Sequence, residues 1–259
     1  MAEKSSISRI GKTEPFELQV SRGQISYHET QFKFGFNADI DDSLETIWSE
    51  GGLYSYLTSA TVLKISSAST DDASAGTGAR TITISGLDGS YNEISESVTL
   101  NGQTAVNTTN SFLRVFRMIV DTAGSGGQNA GKIYAGTGTV TSGVPANKYG
   151  VIDVGDNQTL MCFWTVPAGY TAYLHQIDIS MNTEVANKFG TVHFVSRPNG
   201  GVFNVKDKFA LSQDIIHQGF NYPLKFEEKT DLEVRAIASS SNANLAVSAG
   251  LDIIYIANA

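Results

Sequence analysis

The sequence predicts an all-β protein, and three observations carry that prediction. Short runs of alternating apolar and polar residues recur along most of the chain. Turn residues punctuate them: the 259 residues include 25 Gly and long Ser, Thr and Asn tracts. Helical spacing has one weak candidate, a single turn begun by Asp42-Ser43-x-Glu45. Hydrophobic residues make up 41% of the chain, enough for a sizeable core.

The elements follow in order. Residues 1–50 read as an extended arm that needs something else to pack against. Phe16, Leu18 and Val20 alternate loosely there, and Phe32, Phe34 and Phe36 alternate strictly, as a short strand with one aromatic face. Residues 51–150 read as a small sandwich- or barrel-like β-domain. Its strands include Thr61 to Ser66, Arg80 to Ser85, a return strand Asn92 to Leu100 after the Asp88-Gly89 turn signal, and the apolar run Phe112 to Val120. A boundary near Gly150 opens a second block, 151–259, with about seven or eight strands, the size of a jelly roll or sandwich. In its run Tyr170 to Met181, Ala172, Leu174, Gln176 and Asp178 fall on one side, and Tyr173, His175, Ile177 and Ile179 on the other.

Charge narrows the function. Lys and Arg total 18 against 26 Asp and Glu, a formal net charge of −8. That balance argues against a nucleic-acid partner, whose phosphates this chain would repel. No stretch approaches the roughly 18 apolar residues of a membrane span. The first twenty residues lack the apolar segment of a secretory signal, so synthesis in a cytoplasm is expected. The lone Cys162 excludes an intrachain disulfide framework and lies in an apolar strand, where it reads as a small buried hydrophobe.

Catalytic patterns are missing: no HExxH, no GxSxG, no P-loop, no glycine-rich loop that opens a helix. No enzyme, cofactor or metal is therefore expected. His175 and His193, read as lying on neighbouring strands, could ligate a metal with Asp178; ordinary sheet residues are the preferred reading. The adjacent pairs Asp41-Asp42, Asp71-Asp72 and Glu227-Glu228 point to opposite faces of a strand, which does not make an acid–base dyad. They read as solvated turn residues.

Aromatic residues supply the remaining candidates. Phe32, Phe34, Phe36, Ile47, Trp48 and Tyr54 cluster near the arm and read either as core or as the surface by which the arm docks on a partner. Tyr170, Tyr173, Phe203 and Tyr222 are candidates for stacking on a sugar ring.

Several segments resemble a known family. Phe34-Gly35-Phe36-Asn37 and Ile47-Trp48-Ser49-Glu50-Gly51-Gly52-Leu53-Tyr54 resemble the start of a virion structural protein of tailed bacteriophages. So do Ile82-Thr83-Ile84-Ser85-Gly86-Leu87-Asp88-Gly89 and Glu96 through Gly102. The likeness continues in Thr165 to Leu174 and in Arg197-Pro198-Asn199-Gly200-Gly201-Val202-Phe203. It is strongest to short-tailed phages, including those of marine and cyanobacterial hosts, and spans the chain from about residue 32. The quoted motifs are turns and strand edges. The resemblance implies a virion protein, made in the host cytoplasm and held to other virion proteins (tail adaptor, portal-side or capsid proteins) through the arm. By analogy of fold it implies a homotrimer. The expected function is a non-enzymatic, short fibre-like appendage on tail or head. Capsid decoration is the alternative, as is binding of host-surface glycan by the C-terminal sandwich.

Overall fold

The computed structural model describes residues 8–9, 12–183, 185–241 and 243–258. Residues 1–7, 10 and 11 of the expected arm lie outside them. The described residues are built almost wholly from antiparallel strands. A hairpin of β1 (Ser8–Arg9) and β2 (Lys12–Thr13) precedes α1 (Phe16–Ser21), a helix of under two turns entered at Pro15. The loose alternation of Phe16, Leu18 and Val20 is therefore helical. The fixed φ of Pro15 suits a helix entrance.

The expected arm belongs to the C-terminal block. Strand β3 (His28–Ile40) pairs along most of its length with the last strand of the chain, from His28 opposite Ile256 to Ile40 opposite Leu245. The short β4 (Glu45–Thr46) then joins a different sheet; the helical turn expected to begin at Asp42-Ser43-x-Glu45 is absent, since Glu45 is already in a strand. Seven strands follow: β5 (Thr61–Ser67), β6 (Ala79–Leu87), β7 (Glu93–Thr99), β8 (Val106–Phe112), β9 (Arg114–Ala123), β10 (Ile133–Thr141) and β11 (Val144–Ile152). They form two sheets, in the orders β11-β10-β5-β8 and β7-β6-β9. Leu63, Ile65, Ile82, Ile84, Val98, Val115, Met118 and Ile133 fill one core between them. Strand β11 runs straight through Gly150, and the chain crosses back only at residues 158–165. There Thr159 N–H still donates to Met118, while β12 (Phe163–Thr165) already pairs in the other unit.

The rest is β13 (Tyr170–Thr183), β14 (Gly190–Arg197), β15 (Asn204–Leu211), β16 (Ile215–Phe226), β17 (Asp231–Ala238) and β18 (Leu245–Ala257). One sheet runs β16-β13-β18-β3 and the other β12-β17-β14-β15, with β4 also on β17. Leu174, Ile177, Val192, Phe194, Val234, Ala236, Val247 and Leu251 join the two sheets in a second core. This double sheet is thus made of two sequence pieces, and the β5–β11 unit is inserted between them. It enters where β4 leaves the edge of β17 and returns where β12 takes up the same edge.

A bulge corrects the sequence reading of β13. Leu174 opposes Ile253 and Gln176 opposes Asp252, so His175 is the extra residue. A bulge shifts the two-residue period by one. Ala172 and Leu174 face the core before it, and Ile177, Ile179 and Met181 after it. Gln176 and Asp178 therefore lie on the opposite face from Leu174.

Asp72 is a second correction. It is fully buried. Its Oδ1 accepts the N–H groups of Ala79 (2.7 Å) and Ala130 (2.8 Å), and its Oδ2 accepts Ser67 Oγ (2.6 Å) and Gly131 N–H (2.9 Å). The carboxylate ties the 68–79 loop to the glycine-rich 124–131 loop, satisfying donors that would otherwise be buried unpaired. Asp71 beside it is exposed, as expected.

Candidate functional site

The most distinctive surface is the outward face of the β16-β13-β18-β3 sheet. Registered neighbours share a face, so strand pairing lays out its rows. Phe32 opposes Asp252, Phe34 opposes Gly250 and Phe36 opposes Ser248. These continue to Gln176, Asp178 and Ser180 on β13, then to Gly219, His217 and Ile215 on β16. Three phenylalanines thus form one wall of a trough with a small, polar floor. Cavities of about 420, 460 and 500 Å³ abut along it, with Phe32 shared by the first two and Phe36 by the last two.

The wall is open to solvent. Phe32 is 51% exposed and Phe36 38%, with Ile215 across the trough at 64%. Phe32 stacks on Phe34 at 5.4 Å between centroids, and the Arg117 guanidinium lies 4.7 Å from the Phe34 centroid. On the floor, Asp178 Oδ1 accepts Gln176 Nε2 (2.8 Å) and pairs with His217 Nδ1 (2.7 Å). Burial raises the Asp252 carboxyl above the usual range, and Asp178 adds to that effect.

The inner row of β3 is inverted in polarity. Lys33, Gly35 and Asn37 face the interior and are buried. Asn37 Nδ2 donates to Glu45 Oε2 at 3.1 Å, while Glu45 also accepts the N–H groups of Asp41 and Gly52. Gly35 lets β3 approach the crossing chain: a Cβ there would sit 2.3 Å from Cys162 N and 2.4 Å from Ile47 O.

The six arm residues divide. Phe32, Phe34 and Phe36 share the outward face of the sheet. Ile47, Trp48 and Tyr54 do not join them; they are buried within the chain, at 0%, 5% and 6% exposure. Trp48 and Tyr54 pack edge to face at 5.2 Å in the core of the inserted unit. Their apolar surface is already used internally, so they are core and not docking residues.

The four candidate sugar-stacking rings do not make one platform. Tyr170 and Tyr173 lie on β13, and Tyr170 leans on Tyr255 at 5.1 Å. Tyr222, on β16, is 89% exposed. Phe203 belongs to the β14–β15 connection of the other sheet, under the guanidiniums of Arg197 (4.5 Å) and Arg235 (4.1 Å). The suggested His175–His193–Asp178 metal set is also dispersed. β13 and β14 belong to different sheets, because the chain changes sheets between them, and Asp178 pairs with His217 instead. Among the described residues no group of three or more His, Cys, Asp or Glu is placed to hold a metal. No helix of the described residues is long and apolar enough to cross a membrane. Burial pushes the Cys162 thiol pKa up, which keeps it protonated and unreactive.

A charged network that sequence reading missed joins the two units. Asp231 on β17 accepts Arg114 Nε from β9 (3.0 Å), Thr165 Oγ1 (2.5 Å) and Arg197 Nη2 (2.5 Å). Tyr56 lies between the guanidiniums of Arg114 (4.9 Å) and Arg197 (4.5 Å) and donates to Glu233 Oε2 at 3.0 Å. Glu233 also holds Arg235 at 2.8 Å and accepts Thr46 Oγ1 at 2.5 Å. These partners are up to 187 positions apart, beyond the reach of any local pattern.

No family model matches the chain, and no curated protein matches it. Among solved structures, a T=1 particle derived from infectious bursal virus aligns at 12% identity, covering 90% of this chain and 70% of the other, with a TM-score of 0.24. The T13 particle of the same virus aligns at 11% identity over 89% and 70%, with a TM-score of 0.26. Scores of this size do not establish a common fold.

Proposed function

We propose that this chain is a non-enzymatic structural protein of a tailed-phage virion, held to other virion proteins through the Phe32–Phe34–Phe36 face. The observation that carries the proposal is strand order. Count β4 and β12 as one interrupted strand, and the C-terminal unit has eight strands in the orders 1-8-3-6 and 2-7-4-5. That is jelly-roll winding, an architecture of viral coat and lectin domains. The step from winding to role is an analogy of fold. The exposed phenylalanine wall supplies a partner surface, and the segments resembling phage virion proteins run through both units. A capsid decoration protein is favoured over a tethered fibre. The surface lies on a sheet face, and β3 is sewn into the sheet, so the subunit would lie flat on a shell.

The test is paired substitution, Phe32→Asp with Phe36→Asp, with the melting temperature as a check on folding. In purified particles the doubly substituted chain is expected at one-tenth of the wild-type amount or less. Wild-type incorporation would overturn the docking face. Light scattering of the full-length protein is expected to give a trimer, and a monomer in solution would remove that part of the proposal. Glycan binding by the lectin-like unit is read separately on a glycan array, where loss of signal in Tyr222→Ala would support it.

A further inference from the structure

The cavity between β3 and the inserted unit is lined by two basic side chains, Lys33 and Arg117, that form no ion pair among the described residues. It measures about 410 Å³ and is lined by Lys33, Phe116, Arg117, Ser85, Ser95 and Glu93, among others. Lys33 is 1% exposed. Its ammonium donates to the Phe116 carbonyl, one use of three donors. Arg117, half-buried, donates Nη2 to the Phe32 carbonyl at 3.2 Å, one use of five. Among the described residues neither forms an ion pair with a carboxylate. The three guanidiniums at the junction differ in this respect: Arg114, Arg197 and Arg235 each hold one at 2.5–3.0 Å. An isolated buried charge is costly unless it is paired. Glu93 lines the same cavity but forms no ion pair with either side chain, and burial and Glu29 raise its pKa. Burial and the neighbouring Arg117 lower the Lys33 pKa, a shift that a bound anion would oppose.

We propose that this cavity is an oxyanion site, in which Lys33 and Arg117 bind a phosphate or carboxylate group, with the Ser85 and Ser95 hydroxyls at its wall. Arg offers planar paired donors and Lys a point charge, the usual combination for such groups. The cavity is much larger than the roughly 30 Å³ share of one water. Because β3 belongs to the jelly-roll unit and Arg117 to the inserted one, the bound anion would also brace the two against each other.

The experiment is titration calorimetry on the full-length protein with inorganic phosphate and, separately, with glucuronate, against chloride at equal ionic strength. The two probes distinguish the phosphate from the carboxylate source. Saturable binding of at least one is expected, with a rise in melting temperature that chloride does not reproduce. Arg117→Gln should weaken it about tenfold or more, the worth of one charge-assisted hydrogen bond. Lys33→Met should abolish it, and if that variant does not fold, Arg117→Gln and the wild-type titration decide. No saturable binding of either probe, or full affinity in Arg117→Gln, would overturn the site.

Discussion

Lys33 occupies a position that alternation alone would send into solvent. It sits between Phe32 and Phe34, and a strand with aromatic residues in one row conventionally buries that row. Here the aromatic row faces out and the ammonium faces in, under Phe116 and beside Cys162 and Arg117. The inversion has a thermodynamic signature. Burial first, then Arg117, lower the folded-state pKa of Lys33 below its ordinary 10.5, and Cys162 opposes that shift. In the window between the two values the unfolded chain holds more protons than the folded one, so stability rises with pH. The wild-type protein should therefore gain stability as the pH rises toward about 9.5, short of the tyrosine range. Lys33→Met should lose that part of the slope. Urea denaturation at several pH values measures it; parallel profiles for the two proteins would show that Lys33 does not titrate in the window. No local signal marks the inversion: Lys33 and Asn37 are residue types a strand ordinarily gives to solvent, so the row of Lys33, Gly35 and Asn37 reads as the outer one.

Strand β3 shows how much of an element was legible and where local reading ended. Its existence and its aromatic face followed from the Phe32–Phe34–Phe36 period. Its partner did not, since β18 lies more than 200 residues away in sequence and pairing at that distance leaves no local trace. The same limit turned a sheet strand into an expected free arm. In β13 the obstacle was different: a single extra residue at His175 reversed the phase of everything after it. Gly35 makes the placement of β3 testable. Its missing Cβ admits the backbone of Cys162 and the Ile47 carbonyl, both of which are main-chain atoms that cannot rotate away. Gly35→Ala should cost about 3 kcal/mol or more, the upper range of overpacking. A denaturation midpoint within about 0.5 kcal/mol of wild type would mean that β3 does not approach the crossing chain this closely.

At the scale of the molecule, the all-β class was legible because period and punctuation are local, whereas the insertion of one unit into the other was not. The inserted unit has its own core, yet it is fastened to the C-terminal double sheet by Arg114 of β9, which pairs with Asp231 of β17 beside Arg197 of β14. Both carboxylate oxygens are used, and side-chain exposure is 4% at Asp231 and 7% at Arg114. Removing one partner of a buried pair strands the other charge. Asp231→Asn keeps the shape of the carboxylate and takes away its charge, leaving two guanidiniums facing one another across Tyr56. The expected loss is about 3 kcal/mol or more. It should fall on the junction more than on either core, because Leu63, Ile82 and Val115 on one side and Leu174, Phe194 and Val234 on the other keep their contacts. Calorimetry is expected to show one unfolding transition for the wild type and two for the variant, one for each unit. A variant that still melts in one transition, shifted by the same amount for probes in both cores, would place the coupling elsewhere. The shared apolar seam around Trp48, Tyr54 and Phe163 would then be what makes the two units unfold together.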